Sequence, residues 1–384
     1  MPDAAQPSPL GNGVAFTRLK KLRSIRANRT NLLRHLASVA VLAGSWLAAG
    51  CATAPPAVAA AQSPAPAPAP RQTEFESLWQ AYAATSSDIQ LQADCMPQFH
   101  RARASRRGAV LLLHGFGGCP QQFNALAPLL AAAGFDVLVP RLPGHGHALL
   151  ADGSEDLTAV PTGRDWETRY GDFVVSMNDI MAASPGLRVL VGFSLGGALA
   201  VNAVLRAPDL YDRLLLLTPL LGIRGGPTVE WLAGTLGGVP GIRNIIVKPA
   251  GMHQECVGWS ANGRAGFCDY QLRHVAALAR LVRQNLAGYS ATPLTVPIQI
   301  VAAGDERYVS NDRITAFARQ QAPGGHVALQ VMPAGVPHEM LTPYENGDRE
   351  MFWLDALLQA SVRYVADGDV CDGDWDHCLL PAAP

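Results

Sequence analysis

Lysine is almost absent from this chain. Only three of the 384 residues are lysines, Lys20, Lys21 and Lys248, and charged residues of all kinds make up 16% of the sequence. The formal net charge is −1, but the first fifty residues contain seven basic residues and one acid. The remaining 23 basic and 30 acidic residues give a formal charge of −7. The mildly acidic part after residue 50, with Lys248 as its single lysine, offers no basic patch for nucleic acid, which excludes the nucleic-acid-binding classes.

Repeats and metal-ligand clusters are also missing. The sequence shows no internal repeat and 49% of its residues are hydrophobic, so it can bury one large core and should form one folded domain with a tail. His145 and His147 alternate on a glycine-rich stretch, but no cysteine or carboxylate set accompanies them to complete a zinc site. The acidic stretch between Cys371 and Cys378 lacks the glycine at the sixth position and the glutamate at the twelfth position of a calcium loop. We expect no metal and no cofactor.

The first fifty residues are organised like an export signal. Residues 18–34 are basic, whereas residues 36–50 are apolar and uncharged, a run too short to span a bilayer comfortably. Residues 47–51, L-A-A-G-C, resemble the bacterial lipobox, in which the cysteine is acylated and becomes the mature N-terminus. The resemblance implies lipidation at Cys51 and a membrane-anchored protein of the bacterial cell envelope, on the periplasmic or surface side. An uncleaved membrane anchor is the alternative.

An alanine- and proline-rich segment follows the signal. Residues 51–71 cannot build a core, and their composition predicts an extended, semi-rigid spacer. We expect the folded domain over residues 72–366, opening with an amphipathic helix at 72–84, and a tail over residues 367–384.

Six cysteines follow Cys51. In an exported chain an even number favours disulfides, with buried free thiols as the alternative. Proximity in the sequence suggests two pairs and leaves the other two cysteines for a third. The expected pairs are Cys256–Cys268, Cys371–Cys378 and, by remainder, Cys95–Cys119.

The stretch around which the chain is organised runs from residue 187 to residue 208. A short apolar strand pattern leads into G-F-S-L-G, and a helical pattern rich in alanine and leucine follows. Ser194 would sit at the tip of this sharp turn, where Gly192 and Gly196 leave room for the strand and the helix to approach. A hydroxyl held there is exposed to a substrate, and the N–H of Leu195 points to where an oxyanion would form. Ser194 is therefore the expected nucleophile.

A second signal precedes this stretch. Residues 108–113 are typical of a fully buried strand, which runs into H-G-F-G-G at 114–118. A buried strand with this ending, followed by the serine turn about eighty residues later, resembles the α/β-hydrolase fold. The resemblance implies a mostly parallel central sheet flanked by helices, and an oxyanion hole formed by the N–H groups of Phe116 and Leu195. His114 is expected only to order the loop by hydrogen bonding.

The L-P-G-H-G segment at 142–146, with Asp165-Trp166 downstream, resembles the carboxylesterase and monoacylglycerol-lipase branch of this family. In that branch the segment supports the serine turn from behind. The branch implies an ester substrate.

The base and the acid of a triad are expected late in the chain. His338 lies on the loop between the last predicted strand and a long helix expected over about 349–365, where the family places its general base. The strand expected at 298–301 runs into two adjacent acids, Asp305 and Glu306. Spacing from Val309 favours Glu306 as the triad acid, whereas residue type favours Asp305, and the sequence does not separate them. The chain order of serine, acid and histidine matches the hydrolase order.

A long insertion separates two of the predicted core strands. About seventy-five residues lie between the strands expected at 214–217 and 298–301, far more than an ordinary connection. We therefore predict a cap over the site, at about 220–293. Its apolar residues indicate an acyl or otherwise apolar substrate. They include Trp231, Trp259 and a helical face with Leu272, Val275, Leu278 and Val282.

Together these features predict a serine hydrolase that cleaves a small carboxylic ester through a Ser-His-acid triad and an acyl-enzyme. The same residues would serve an amide, thioester or peptide hydrolase, because the pocket selects the substrate. A catalytically inactive, envelope-anchored binding lipoprotein on the same fold is the alternative from a different class.

Overall fold

The computed structural model describes residues 71–247, 252–324, 326–346, 349–371 and 373–374. Most of its strands belong to one eight-stranded sheet. The strands are β1 (Gln98–His100), β2 (Gly108–Leu113), β3 (Phe135–Val139), β4 (Leu187–Phe193), β5 (Arg213–Leu217), β6 (Ile246–Val247), β7 (Tyr270–Gln271), β8 (Ile298–Ala302), β9 (Val327–Val331) and β10 (Gly373–Asp374).

The sheet has the spatial order β1-β3-β2-β4-β5-β8-β9-β10, in which only β1 runs antiparallel to its neighbour. All six residues of β2 are buried, and their side chains alternate between two cores. Leu111 and Leu113 enter one core, whereas Val110 and Leu112 enter the other. A strand buried on both faces reads as a continuous apolar run, which is why the sequence predicts it.

Helices cover both faces of the sheet. They are α1 (Arg71–Ala84), α2 (Leu126–Ala132), α3 (Gly163–Ala183), α4 (Leu195–Arg206), α5 (Gly226–Leu236), α6 (Met252–Ala261), α7 (Leu272–Ala291), α8 (Asn311–Gln321) and α9 (Leu354–Asp367). Residues of α2 and α9 share one core, and residues of α1, α3, α4, α7 and α8 share the other. The predicted fold class, a mostly parallel sheet between helices, is confirmed.

The long connection between β5 and β8 carries α5, α6, α7 and the antiparallel pair β6–β7. We call residues 220–293 the cap segment. On α7 the predicted apolar face divides in two. Val282 is buried in the core, whereas Val275 and Leu278 line a cavity that is described below.

Two short strands at the edges of the sheet were not predicted. β1 has three residues and β10 has two, too few for a periodic pattern. β10 lies in the predicted tail and extends the sheet beside β9.

The last helix begins at Leu354, five residues after the predicted start at about 349. Trp353 is fully buried, and its Nε1 donates a hydrogen bond to the Met340 carbonyl at 3.0 Å. This contact ties the chain before the helix to the loop that follows His338, which explains the later start.

Two of the expected disulfides are present, Cys95–Cys119 and Cys256–Cys268. Cys371 is also disulfide-bonded, whereas its predicted partner Cys378 lies outside the described residues. The predicted signal at 1–50 and Cys51 lie outside them too, as does nearly all of the spacer at 51–71. Over the part of the chain that the structure describes, no helix combines the length and the apolar character that crossing a membrane requires.

Candidate active site

Ser194 occupies a strained turn between β4 and α4. Its backbone has φ 52° and ψ −115°, in the region that residues with a Cβ rarely adopt. Two of its four backbone hydrogen bonds join it to the end of β5 and the chain beyond, one from Ser194 N–H to the Leu217 carbonyl at 3.0 Å and one from Leu220 N–H to the Ser194 carbonyl at 2.9 Å. Strain of this kind persists only where the surrounding structure fixes it.

Glycines allow the strand and the helix to meet at this turn. A Cβ on Gly192 would lie 2.5 Å from the Gly196 carbonyl oxygen, and a Cβ on Gly196 would lie 1.9 Å from the Leu113 carbonyl oxygen. Neither approach is sterically possible for a larger residue. The structure therefore shows the crowding that the G-x-S-x-G spacing predicts.

The loop after β2 lies directly against the serine. A Cβ on Gly115 would be 3.3 Å from the Ser194 Cβ, and the next residue, Phe116, lines the same cavity as Ser194. The Phe116 N–H makes no hydrogen bond within the described residues. Leu195 is the first residue of α4, so its N–H has no acceptor within the helix. Two backbone donors thus flank the serine.

His114 orders this loop, as predicted. Its Nδ1 donates to the Gly115 carbonyl at 3.0 Å, and its Nε2 accepts from Leu142 N–H at 3.0 Å. Burial lowers the pKa of His114 to about 3, which keeps the ring neutral. The His145 ring packs edge-on against His114 and Phe116, with centroids 5.3 and 5.6 Å apart. The L-P-G-H-G segment therefore packs on the loop of Phe116, whereas the resemblance implied support of the serine turn.

His338 is paired with Glu306. The two side chains are buried, and His338 Nδ1 lies 2.8 Å from Glu306 Oε2. The second oxygen of the carboxylate, Oε1, accepts the backbone N–H groups of Tyr308 and Val309 at 2.7 and 3.0 Å. Both oxygens of Glu306 are therefore in use, and Nε2 is the ring nitrogen left to exchange a proton.

Asp305, the other candidate acid, lines a polar cavity with His338 but does not pair with it. It is exposed, its backbone N–H donates to the Val336 carbonyl at 2.9 Å, and no hydrogen bond joins its carboxylate to His338. The structure thus brings Glu306 to the histidine and leaves Asp305 out. The reason is geometric, because adjacent residues of an irregular loop present their side chains in different directions.

Each member of the pair shifts the pKa of the other towards its charged form. Burial alone would raise the pKa of Glu306, but attraction to His338, the hydrogen bond from it and the two backbone N–H groups outweigh burial and lower that pKa. Burial would lower the pKa of His338, but Glu306, by charge and by hydrogen bond, raises it above 6.5. The imidazolium form is therefore favoured more than in a free histidine.

Ser194 and His338 line one cavity of about 170 Å³. No hydrogen bond joins their side chains among the described contacts; such bonds are often long without substrate and tighten when it binds. Most of the wall is apolar, and much of it comes from the cap segment. The apolar and aromatic lining comprises Phe116, Phe193, Leu220, Ile223, Phe267, Tyr270, Val275, Leu278, Tyr308 and Val309.

A second, polar cavity of about 110 Å³ meets the first at His338. The two cavities also share Tyr308, Glu339 and Glu345. Burial, together with the nearby Glu345 carboxylate, raises the pKa of Glu339 to about 7 against the attraction of His338. Sequence reasoning missed Glu339 and Glu345, because an acid on a loop gives no periodic signal. Within the described ranges, no group of three or more histidines, cysteines and acids could hold a metal ion.

Comparison with known proteins gives a family and several relatives. The model of the alpha/beta hydrolase family matches residues 110–349, more than half of the chain. A pimeloyl-[acyl-carrier protein] methyl ester esterase of Aromatoleum aromaticum is 35% identical over 29% of this chain and 37% of its own length. A thermostable monoacylglycerol lipase of a Bacillus species is 34% identical over 26% of this chain and 36% of its own length. The chain thus spans about a third of these curated relatives.

Solved structures resemble a larger part of the chain. A monoacylglycerol lipase of Paleococcus ferrophilus aligns with 73% of this chain and 100% of its own, with a TM-score of 0.55 and 15% identity. A thermostable carboxyl esterase of Bacillus coagulans, solved with glycerol, aligns with 72% of this chain and 96% of its own, with a TM-score of 0.55 and 16% identity. At these identities the likeness shows the fold.

The crowding at Gly196 gives a test of the turn. Gly196→Ala should lower the free energy of unfolding by about 3 kcal/mol, because its Cβ would overlap the Leu113 carbonyl. Displacement of Ser194 should also lower by about 10²-fold any hydrolysis that this serine carries out. The matched control is Gly258→Ala on α6, where a Cβ meets nothing within 4 Å. Urea unfolding and nitrophenyl ester hydrolysis measure both, and equal behaviour of the two variants would contradict the steric account.

Proposed function

Because the chain belongs to the alpha/beta hydrolase family and has esterase and lipase relatives, we propose that it is a serine hydrolase that cleaves carboxylic esters through an acyl-enzyme on Ser194. One observation carries the proposal. The strained serine turn, the Glu306–His338 pair and Phe116 meet at a single cavity, and the Phe116 N–H has no hydrogen-bond partner among the described residues.

The geometry suggests the following acylation step. His338 Nε2 takes the proton of Ser194 Oγ as Oγ attacks the ester carbonyl carbon, while Glu306 holds Nδ1–H and stabilises the imidazolium that forms. The N–H groups of Phe116 and Leu195 donate to the oxyanion of the tetrahedral intermediate. The imidazolium then protonates the departing alkoxide. Water, activated by His338 in the same way, hydrolyses the acyl-enzyme and restores Ser194.

The cavity supports an ester with an apolar acyl group. Its wall between Phe116 and Leu278 is largely aromatic and aliphatic, so it removes an acyl chain from water, at about 25 cal/mol per Å² of apolar surface. The polar cavity beyond His338 would receive the alcohol. Two relatives, named as a methyl ester esterase and a monoacylglycerol lipase, agree with an ester substrate.

We further propose that Cys51 is acylated and anchors the enzyme in the bacterial cell envelope. The support is the basic segment, the short apolar run and the L-A-A-G-C sequence before an alanine- and proline-rich spacer. A spacer in the polyproline conformation extends about 3.1 Å per residue, which would hold the domain off the membrane surface.

Replacement of the nucleophile tests the proposed activity. Ser194→Ala should reduce kcat by about 10⁴-fold or more and abolish labelling by a fluorophosphonate probe, because no other hydroxyl occupies the turn. Circular dichroism should show an unchanged fold. A folded Ser194→Ala protein with near-normal turnover would refute the assignment, and a wild-type protein that neither labels nor hydrolyses esters would be a binding protein on this fold.

The acid is tested by a pair of variants. Glu306→Gln should lower kcat by about 10⁴-fold, because the amide cannot orient and stabilise the imidazolium, whereas the exposed Asp305→Asn should stay within about threefold of wild type. Nitrophenyl ester hydrolysis measures both. The reverse ranking would make Asp305 the acid.

The pH profile gives a second measurement on the same variants. Neutral His338 is the active base, so kcat/KM should fall as pH drops through its pKa, which Glu306 raises above 6.5. Glu306→Gln removes that charge, so this acidic limb should move to lower pH, while in Asp305→Asn it should stay in place. An unmoved limb in Glu306→Gln would mean that Glu306 does not control the titration of His338.

Lipidation is tested independently of catalysis. Wild-type protein, expressed in a bacterium fed with a palmitate analogue, should incorporate the label, and Cys51→Ser should not, because the acylated thiol is gone. Ser194→Ala is the matched control and should label like wild type. Absence of label from the wild type would indicate a plain signal peptide or an uncleaved anchor.

A further inference from the structure

A buried polar cluster connects three distant parts of the chain beside the site. We call Gln122, Arg264 and Glu345 the Glu345 cluster. Gln122 lies just after the loop of Phe116, Arg264 belongs to the cap segment, and Glu345 follows the loop of His338. Their relative exposures are only 5%, 9% and 3%. One carboxylate oxygen joins them, because Glu345 Oε1 accepts from Gln122 Nε2 at 2.6 Å and from Arg264 Nε at 3.2 Å.

Gln122 and Arg264 also form hydrogen bonds with the backbone on either side of Phe116. Gln122 Oε1 accepts from Gly115 N–H at 2.8 Å. Arg264 Nη2 donates to the Gly117 carbonyl at 3.0 Å. Phe116 lies between these two anchored residues, and its own N–H is the one that the proposed mechanism uses. The cluster therefore fixes both neighbours of the proposed oxyanion donor through one carboxylate.

The backbone is shaped to admit these contacts. A Cβ on Gly118 would lie 2.4 Å from Gln122 Oε1, and a Cβ on Gly266 would lie 2.0 Å from the Gly117 carbonyl oxygen. Phe267 N–H donates to that same carbonyl at 2.9 Å. The cap segment thus rests directly on the loop of Phe116, which a side chain at position 266 or 118 would prevent.

We propose that the Glu345 cluster is a positioning unit for the oxyanion hole, through which the cap segment and the loop after His338 set the orientation of the Phe116 N–H. The inference rests on the proposed function of Ser194 and Phe116. A charged pair buried this deeply is costly to leave half-paired, so its geometry is tightly held. Loss of one oxyanion donor typically costs about 10²- to 10³-fold in kcat.

Glu345→Ala is the main test variant, with the ester substrate and an aryl boronic acid as probes. The serine Oγ adds to the boron as its proton passes to His338, and the tetrahedral boronate that forms places one of its oxygens in the oxyanion hole. We expect kcat to fall by about 10²-fold and the boronic acid to bind more weakly by a similar factor. For a methyl ester, KM should stay within about threefold, because the apolar wall that binds the acyl group is intact and methanol is too small to fill the polar cavity that Glu345 lines.

A matched control comes from a buried carboxylate that lies in the cap segment, Glu230. Glu230 is 3% exposed and accepts from Ile223 N–H at 3.0 Å, and among the described residues no hydrogen bond or ion pair joins it to residues 115–118. Glu230→Ala should keep kcat and boronic acid affinity within about threefold of wild type. Equal losses in Glu230→Ala and Glu345→Ala would mean general destabilisation of the cap segment and would overturn the proposal.

Gln122→Ala, alone and combined with Glu345→Ala, distinguishes a positioning unit from independent contacts. If both act on Phe116 through one unit, the double variant should lose little more kcat than the worse single variant. Additive losses in log kcat would overturn the proposal.

Glu345→Gln is the test variant if Glu345→Ala does not fold, because it keeps the side-chain volume and loses the charge. A folded Glu345→Gln with wild-type kcat and wild-type boronic acid affinity would refute the proposal. Normal turnover by Ser194→Ala would instead refute the proposed function.

Discussion

The close approach of β4, α4 and β2 around Ser194 is the constraint on which the site depends. Gly196 touches the backbone of Leu113, and the chain after Leu113 becomes the loop that carries Phe116. A positive φ at a serine is maintained only by such crowding. The parallel sheet then brings the ends of β8 and β9 to the same edge, where Glu306 and His338 follow. Strand order and one tight turn therefore assemble residues from four distant segments.

Three buried glutamates lie around one histidine, and each is stabilised differently. Glu306 gains the hydrogen bond of His338 and two backbone N–H groups, which keep it charged. Glu345 is paired with Arg264 and Gln122. Glu339 has its pKa raised to about 7 by burial, so near neutrality it holds a proton for part of the time. The site thus tolerates three acids in a small volume by giving them separate partners and different charge states.

Much of this could be predicted from the sequence, because the decisive signals are local. Fully buried strands, the glycines beside Ser194 and the position of His338 each depend on a few consecutive residues. The choice between Asp305 and Glu306 could not be made, since it depends on the direction of two adjacent side chains in an irregular loop. The Glu345 cluster was invisible for another reason. Arg264 and Gln122 lie 81 and 223 residues before Glu345 along the chain, and contacts at that range leave no pattern in the sequence.

The Cys256–Cys268 disulfide is part of the cavity wall, and both cysteines face the space beside Ser194. Thiols join in this way only where the surroundings are oxidising. A chain still inside a reducing cytoplasm would carry the two sulfurs unlinked, with α6 no longer tied to the segment that rests on Gly117. Completion of the cavity wall therefore depends on the redox environment as well as on folding.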